Sequence, residues 1–206
     1  MLKVYYCLLG EEASDIPHGL LSAYREEKLA VQKAPLVRRQ SLFSELLLRF
    51  ALKDNGLASD SPLEITVGEY GKPRLRGGGL CFNLSHSGDA LLCALSDREI
   101  GADVQRKTLV KLPLMRRFFA EDEQSYVLSA ADADEAFTEI WTKKESRCKL
   151  SGKGLSLPLR SFSVLDVEIS PLLWHRREGE YHIAACGEAV RDGQIDWIEV
   201  KTGLLL

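Results

Sequence analysis

Three short apolar runs follow one another between residues 80 and 104: Leu80 to Leu84, Ala90 to Leu95, and Glu99 to Val104, the last two joined by Ser96-Asp97-Arg98. Such runs, bounded by turn residues, read as strands. Helical periodicity flanks them on both sides. Upstream, over residues 19–52, Leu42, Leu46 and Phe50 recur at four-residue spacing with Phe43 and Leu47 beside them. That is one apolar helix stripe. Pro35 interrupts the stretch, which predicts two helices, and Asn55-Gly56 reads as a helix stop. Downstream, a mixed segment from Leu109 to Phe119 leads to an acidic, Ala-rich helix and then to a helix around Trp141 that ends at Ser151-Gly152. Met1 to Cys7 and Leu63 to Val67 read as further strands, and Phe162 to Ile169, Tyr181 to Cys186 and Trp197 to Val200 as closing ones. Strand, helices, strands, then helices and strands again predicts an α+β fold in two halves, 1–100 and 101–206.

The 206 residues are 45% hydrophobic and 28% charged, an ordinary globular balance. A net charge of −3 argues against sequence-independent nucleic-acid binding, which needs a basic surface. No apolar run approaches the roughly 20 residues that span a bilayer. The N-terminus is too short and too aromatic for a signal peptide. Five cysteines form no C-x-x-C pair, which points to a reducing cytoplasm rather than disulfides or zinc. Cys7, Cys81, Cys93 and Cys186 sit in strand-like runs and read as core residues, whereas Arg147 and Lys149 flank Cys148 and could favour its thiolate.

Basic residues gather in three segments: Arg25 to Arg49, Arg106 to Arg117, and Lys143 to Lys153. Each alone reads as a solvated face, but three in a net-acidic chain suggest a localised anion site. Phe82-Asn83-Leu84-Ser85-His86-Ser87-Gly88 reads as an apolar strand ending in a polar turn, able to offer N–H groups, hydroxyls and an imidazole to an anion. Ser85 and His86 point to opposite faces if extended, and no G-x-S-x-G elbow is present, so a Ser-His nucleophile is disfavoured. In Ile100-Gly101-Ala102-Asp103-Val104-Gln105, Asp103 and Gln105 share one strand face. An Asp in an apolar strand needs a partner, and a hard cation is one. On the third segment Trp141, Glu145 and Lys149 stack along one helix face. The plain reading is a Glu-Lys pair above a core tryptophan. The chemical one gives Glu145 to a metal and Lys149 to a phosphate, as Mg²⁺-assisted phosphoryl transfer requires.

FNLSHSG, IGADVQ and WTKKESRCKLSGKGLSLPL together resemble the three signature blocks of the 4′-phosphopantetheinyl transferases of the Sfp type. Glu69-Tyr70-Gly71-Lys72-Pro73 and Ser161-Phe162-Ser163-Val164 extend the likeness over roughly residues 20–165. The resemblance implies a monomer of two similar α+β halves about a pseudo-twofold axis, with the active site between them. It assigns Asp103 and Glu145 to Mg²⁺, and Lys149 to the coenzyme A pyrophosphate and the leaving group. Ser85 and His86 would grip coenzyme A phosphates, Lys72 and Pro73 the adenine end, and Arg25, Lys28 and Ser41 the 3′-phosphate. The family's acidic residue two after the metal Asp is here Gln105, which could act through water.

The implied reaction moves 4′-phosphopantetheine from coenzyme A to a serine of an apo acyl or peptidyl carrier protein, releasing 3′,5′-ADP. Glu145 or a metal-bound water would take the serine proton, with Glu123 as a further candidate. The carrier would dock on Thr108 to Phe119, where Leu109, Val110, Leu112, Leu114 and Met115 interleave with Lys111, Arg116 and Arg117. The alternatives are a coenzyme A-binding protein without transfer activity, and an interaction protein with coincidental motifs. The N-terminal half would carry the 3′-phosphate and adenine side, and the C-terminal half the Mg²⁺ and carrier side.

Overall fold

A computed structural model describes residues 1–10, 19–57 and 61–205. Its strands are β1 (Leu2–Leu8), β2 (Ile65–Val67), β3 (Pro73–Leu75), β4 (Cys81–Ser87), β5 (Ala90–Ser96), β6 (Gly101–Arg106), β7 (Leu173–Glu178), β8 (Tyr181–Cys186) and β9 (Ile195–Glu199). Its α-helices are α1 (Ala23–Val31), α2 (Pro35–Asp54), α3 (Leu112–Phe118), α4 (Glu121–Ser129), α5 (Ala133–Ser151) and α6 (Glu188–Arg191). They build the expected α+β fold.

One sheet runs β4-β5-β1-β9 and another β6-β8-β7, with β2-β3 as a separate ribbon. Strands β1 and β5 are buried on both faces, which explains their continuous apolar runs. Tyr5, Cys7, Leu91, Cys93 and Leu95 face α2 and meet Phe43, Leu47 and Leu48. The alternate residues Leu2, Val4, Leu92 and Ala94 face the second sheet and meet Ala102, Val104, Ile183 and Ala185. The two sheets therefore pack face to face. A third cluster joins Met115, Phe119, Val127, Phe137 and Ile140 beneath α3, α4 and α5. Each large side chain buried this way contributes on the order of 1.5–3 kcal/mol.

Several expectations meet a correction here. The expected strand Phe162 to Ile169 is a run of turns, because its backbone N–H groups bond locally and to a side chain: Asp166 to the Ser163 carbonyl at 3.3 Å, and Val164 to Glu123 at 2.8 Å. Residues Leu173–Glu178, too polar to read as a strand, pair with β8 as a hairpin edge. As expected, an acidic helix, α4, precedes the helix around Trp141, α5, which Asp132 caps by accepting from the Glu135 N–H at 3.0 Å. Pro35 does start a second helix, at its first turn. The chain end crosses the expected division at 100/101: β9 pairs parallel to β1 and so joins the first sheet.

The Ser85-His86-Ser87 segment is also not a turn. It continues β4 in register with β5, and the reversal comes at Gly88. Its N–H groups belong to a strand, so the loop-type anion cradle is replaced by a different device. Asn83, Ser85 and Ser87, two apart on β4, accept from the N–H groups of Ala102 (2.9 Å), Val104 (3.3 Å) and Arg106 (3.0 Å). Three side chains thereby satisfy the edge of β6 and join the two sheets.

Candidate active site

The comb of Asn83, Ser85 and Ser87 sets β6 against β4, and Gly101 sets it against α5. A Cβ at Gly101 would stand 2.0 Å from the Ser146 carbonyl oxygen and 2.3 Å from the Leu150 nitrogen. No side chain fits there, so the glycine lets the last turns of α5 lie on the start of β6. Gly152, at φ 70°, ends α5 in the left-handed conformation, as its sequence predicted. These two contacts bring Glu145 and Lys149 beside Asp103.

Asp103 is 2% exposed and is a hub. Its Oδ1 accepts from Ser85 Oγ at 2.6 Å and from Lys149 Nζ at 2.7 Å, and its Oδ2 from Gln105 Nε2 at 2.8 Å. Lys149 Nζ also donates to Ser85 Oγ at 2.7 Å. Lys149 thus reaches across to β4 and β6, not back along α5 to Glu145. Burial first, then the charge of Asp103, pushes the Glu145 carboxyl up to about 7, with Lys149 partly offsetting them. Two carboxylates near enough to act on each other's charge supply oxygen donors of the kind a hard cation takes. About one lone-pair site of Asp103 is left by its three donors. Among the described residues no cluster of three or more His, Cys, Asp or Glu is arranged for a metal.

A cleft of about 320 Å³ opens here, lined by Glu145, Lys149, Asn83, Lys72 and Pro73 among others. Pro73 opens β3 at its wall. Lys72 is not free to serve a ligand: its Nζ donates to Glu99 (2.9 Å), the Ile100 carbonyl (3.0 Å) and the Leu150 carbonyl (3.2 Å). It rivets the β2-β3 ribbon to β6 and to the end of α5.

His86 stands on the opposite face of β4 from Ser85, as an extended chain requires, beside a cationic wall. Desolvation, then the charges of Lys149 and Arg25, lower its pKa, with a smaller push from Lys28. Arg25, 6% exposed, donates from Nη1 to Ser41 Oγ at 2.8 Å. Lys28 is exposed, its Nζ 4.5 Å from the Tyr24 ring. The remaining arginines of the first basic segment act structurally: Arg38 holds the Leu29 and Gln32 carbonyls, Arg39 the Gly10 carbonyl, and Arg49 those of Leu20 and Ser61. Composition could not separate these uses.

Glu123 lies elsewhere. It is fully buried, pairs with Lys144 at 2.6 Å and accepts from the Ala120 and Val164 N–H groups. With its acceptors filled and no path to solvent, it is corrected from a proton acceptor to a structural anchor. Cys148 is likewise corrected. Its thiol donates to the Gly154 carbonyl, and burial pushes its pKa up to about 11. The sequence reading missed Gly101, Asn83 and Ser87; the i, i+2 polar repeat on β4 was the available signal.

The cleft with Glu145 and Lys149 thus lies between α5, β4 and the segment leading into β3. A family model for the 4′-phosphopantetheinyl transferase superfamily matches residues 99–194. The 4′-phosphopantetheinyl transferase Sfp of Bacillus subtilis strain 168 is 38% identical over 129 residues, 61% of this chain and 57% of that protein, less than two thirds of its length. A second 4′-phosphopantetheinyl transferase of Bacillus subtilis is 32% identical over 210 residues, covering 94% of this chain and 92% of the relative. The 4′-phosphopantetheinyl transferase AcpT of Salmonella typhimurium is 35% identical over 158 residues, 72% of this chain and 75% of its own. The chain belongs to the 4′-phosphopantetheinyl transferase superfamily. Among the described residues no helix is long and apolar enough to cross a membrane.

Proposed function

We propose that this protein transfers 4′-phosphopantetheine from coenzyme A to a serine of an apo acyl or peptidyl carrier protein, releasing 3′,5′-ADP. The observation that carries this reading is a cleft lined by Glu145 and Lys149, with Asp103 bonded to that lysine and with Arg25, Lys28 and Lys149 all near enough to His86 to act on its charge. An anionic donor pair beside a row of cations suits a pyrophosphate bearing a second phosphate. Coenzyme A is the substrate of that description.

Asp103 and Glu145 would hold Mg²⁺, which when bound neutralises charge on the pyrophosphate oxygens. The serine Oγ forms a bond to the pantetheine-side phosphorus while the bond from that phosphorus to the 3′,5′-ADP oxygen breaks. Glu145, or a water on the metal, would accept the serine proton. Lys149 turns its ammonium toward the departing phosphate. Ser85 is read here as the group that orients Lys149 and Asp103, because its hydroxyl is already spent on both. Gln105 is read as a second orienting group through Asp103 Oδ2. His86, Arg25, Lys28 and Ser41 take the 3′-phosphate, and Pro73 borders the adenine end.

The N-terminal half, 1–100, supplies the 3′-phosphate and adenine side, and the half from 101 onward the metal and carrier side. Around α3, Leu109 and Leu112 are 75% and 45% exposed beside exposed Lys111, Arg116 and Arg117. Met115 and Phe119 turn inward to the core. This outer face suits an acidic partner helix with an apolar stripe. A second cleft of about 330 Å³ borders it, lined by Lys107, Lys111, Leu114, Trp141 and Gln105, the last bonded to Asp103.

The test is intact-mass analysis of an apo-carrier panel incubated with the protein, coenzyme A and Mg²⁺. Phosphopantetheine attachment that needs Mg²⁺ and is lost by orders of magnitude in Glu145→Gln, with circular dichroism unchanged, supports the reading. Coenzyme A binding without attachment to any carrier would favour the binding-protein alternative.

A further inference from the structure

Glu45 is an acid in the middle of the apolar face of α2, and it is wholly buried. An unpaired carboxylate there would be costly. Its two oxygens are filled from one direction only: Oε1 accepts the Ser22 N–H at 2.6 Å, and Oε2 accepts Ser22 Oγ at 2.7 Å and Arg25 Nε at 3.3 Å. Ser22 is the N-cap of α1, and its Oγ accepts the Arg25 N–H at 3.2 Å. Ser41, one helical turn before Glu45 on α2, takes Arg25 Nη1 at 2.8 Å.

Together these contacts fix the start of α1 and the plane of one guanidinium. Nε and one Nη1 hydrogen are committed to α2. The other Nη1 hydrogen and both on Nη2 have no acceptor among the described residues, and Arg25 lies near enough to His86 to act on its charge. An arginine held this way recognises an anion by direction, with little side-chain entropy left to lose. Glu45 also cancels the charge of Arg25, so the pair offers geometry more than field. Net attraction then falls to Lys28, which is exposed and makes no ion pair among the described residues.

We infer that Glu45 is a positioning residue which, through Arg25, sets the selectivity of this protein for a ribose 3′-phosphate over a free 3′-hydroxyl. The inference rests on the proposed binding of coenzyme A and deepens it. Glu45 touches no substrate; it acts by aiming Arg25.

The experiment compares coenzyme A with dephospho-coenzyme A in kcat/KM, and 3′,5′-ADP with 5′-AMP by calorimetric titration. Glu45→Asp keeps the charge but withdraws the carboxylate by one methylene. Glu45→Gln keeps the length but turns one acceptor into a donor facing Arg25 or Ser22. Either variant should reduce the preference for the 3′-phosphate about tenfold, with the loss falling on KM for coenzyme A more than on kcat. In an Arg25→Ala background, where the preference is already lost, Glu45→Asp should change it no further. A structural role alone would lower the melting temperature in both backgrounds and leave the preference intact. If Arg25→Ala loses the preference and both Glu45 variants keep it, the inference is overturned and the site reading stands. If Arg25→Ala itself keeps the preference, the 3′-phosphate is not bound at Arg25 and both fall. Should Glu45→Gln not fold, Glu45→Asp decides.

Discussion

Lys149 Nζ sits 2.7 Å from Asp103 Oδ1 and 2.7 Å from Ser85 Oγ, so one ammonium ties α5 to β6 and β4. The lysine side chain is 28% exposed and the aspartate side chain nearly buried, which makes the pair partly desolvated. Removing the lysine leaves a buried carboxylate with hydrogen bonds but no counter-ion. Lys149→Met should therefore cost about 1–3 kcal/mol in urea unfolding. Added Mg²⁺ should restore more of that stability in Lys149→Met than it adds to the unaltered protein, because the cation replaces the missing charge. No recovery with Mg²⁺ would remove Asp103 from the metal set.

Gln105 offers a second check on that set. Its amide orients Asp103 Oδ2, so Gln105→Ala should loosen Asp103 and raise the Mg²⁺ concentration needed for half-maximal activity severalfold. Gln105→Glu puts a like charge beside Asp103. It should lower the melting temperature without Mg²⁺ and enlarge the rise that Mg²⁺ produces. A thermal-shift series against Mg²⁺ reads both, and an identical response from all three proteins would separate Gln105 from the metal.

Carrier docking on α3 is tested by charge reversal. Arg116→Glu with Lys111→Glu should raise KM for the carrier about tenfold or more and leave KM for coenzyme A in place. Exposed rim charges act mainly on association, so the effect should weaken as salt is raised. An unchanged carrier KM moves the docking face elsewhere.

A buried histidine pair should make the fold sensitive to acid. His175 Nε2 lies 3.1 Å from His182 Nδ1, between Glu139 and Lys143 of α5, Glu135 at its start, and Arg177 of β7. Burial, against the pull of Glu139, holds His175 down at about 4. An unfolded histidine titrates near 6.5. Between these values the unfolded chain binds a proton that the folded chain refuses, so stability falls as pH drops through the window of about 6.5 to 4. His175→Gln, whose amide can still hydrogen-bond His182, should flatten that part of a urea-midpoint-against-pH curve. An unaltered slope would assign the acid loss to other groups.

Periodicity in the sequence was enough for the α+β class, the two helices about Pro35, the shared face of Asp103 and Gln105, and the end of α5 at Gly152. These follow from neighbours within a turn or a strand, where side-chain spacing alone decides the face. Motif likeness singled out Asp103, Glu145 and Lys149, because the chemistry demands those residue types. What each charged group does once folded was decided by tertiary structure. Lys72 and Lys149 look equivalent in sequence and both line the cleft, yet one is tied to Glu99 and two carbonyls and the other to Asp103 and Ser85. Glu123 and Glu145 are both acids of the C-terminal half, but Lys144 and two N–H groups claim the first, and only the second meets Asp103. Arg25 becomes directional through Glu45, twenty residues away on another helix. Gly101 matters because α5 lies on it, and Ser85 because β6 passes beside β4. Hydrogen bonds and desolvation act through space over a few ångströms, and partners brought together by chain folding leave no spacing rule in the sequence.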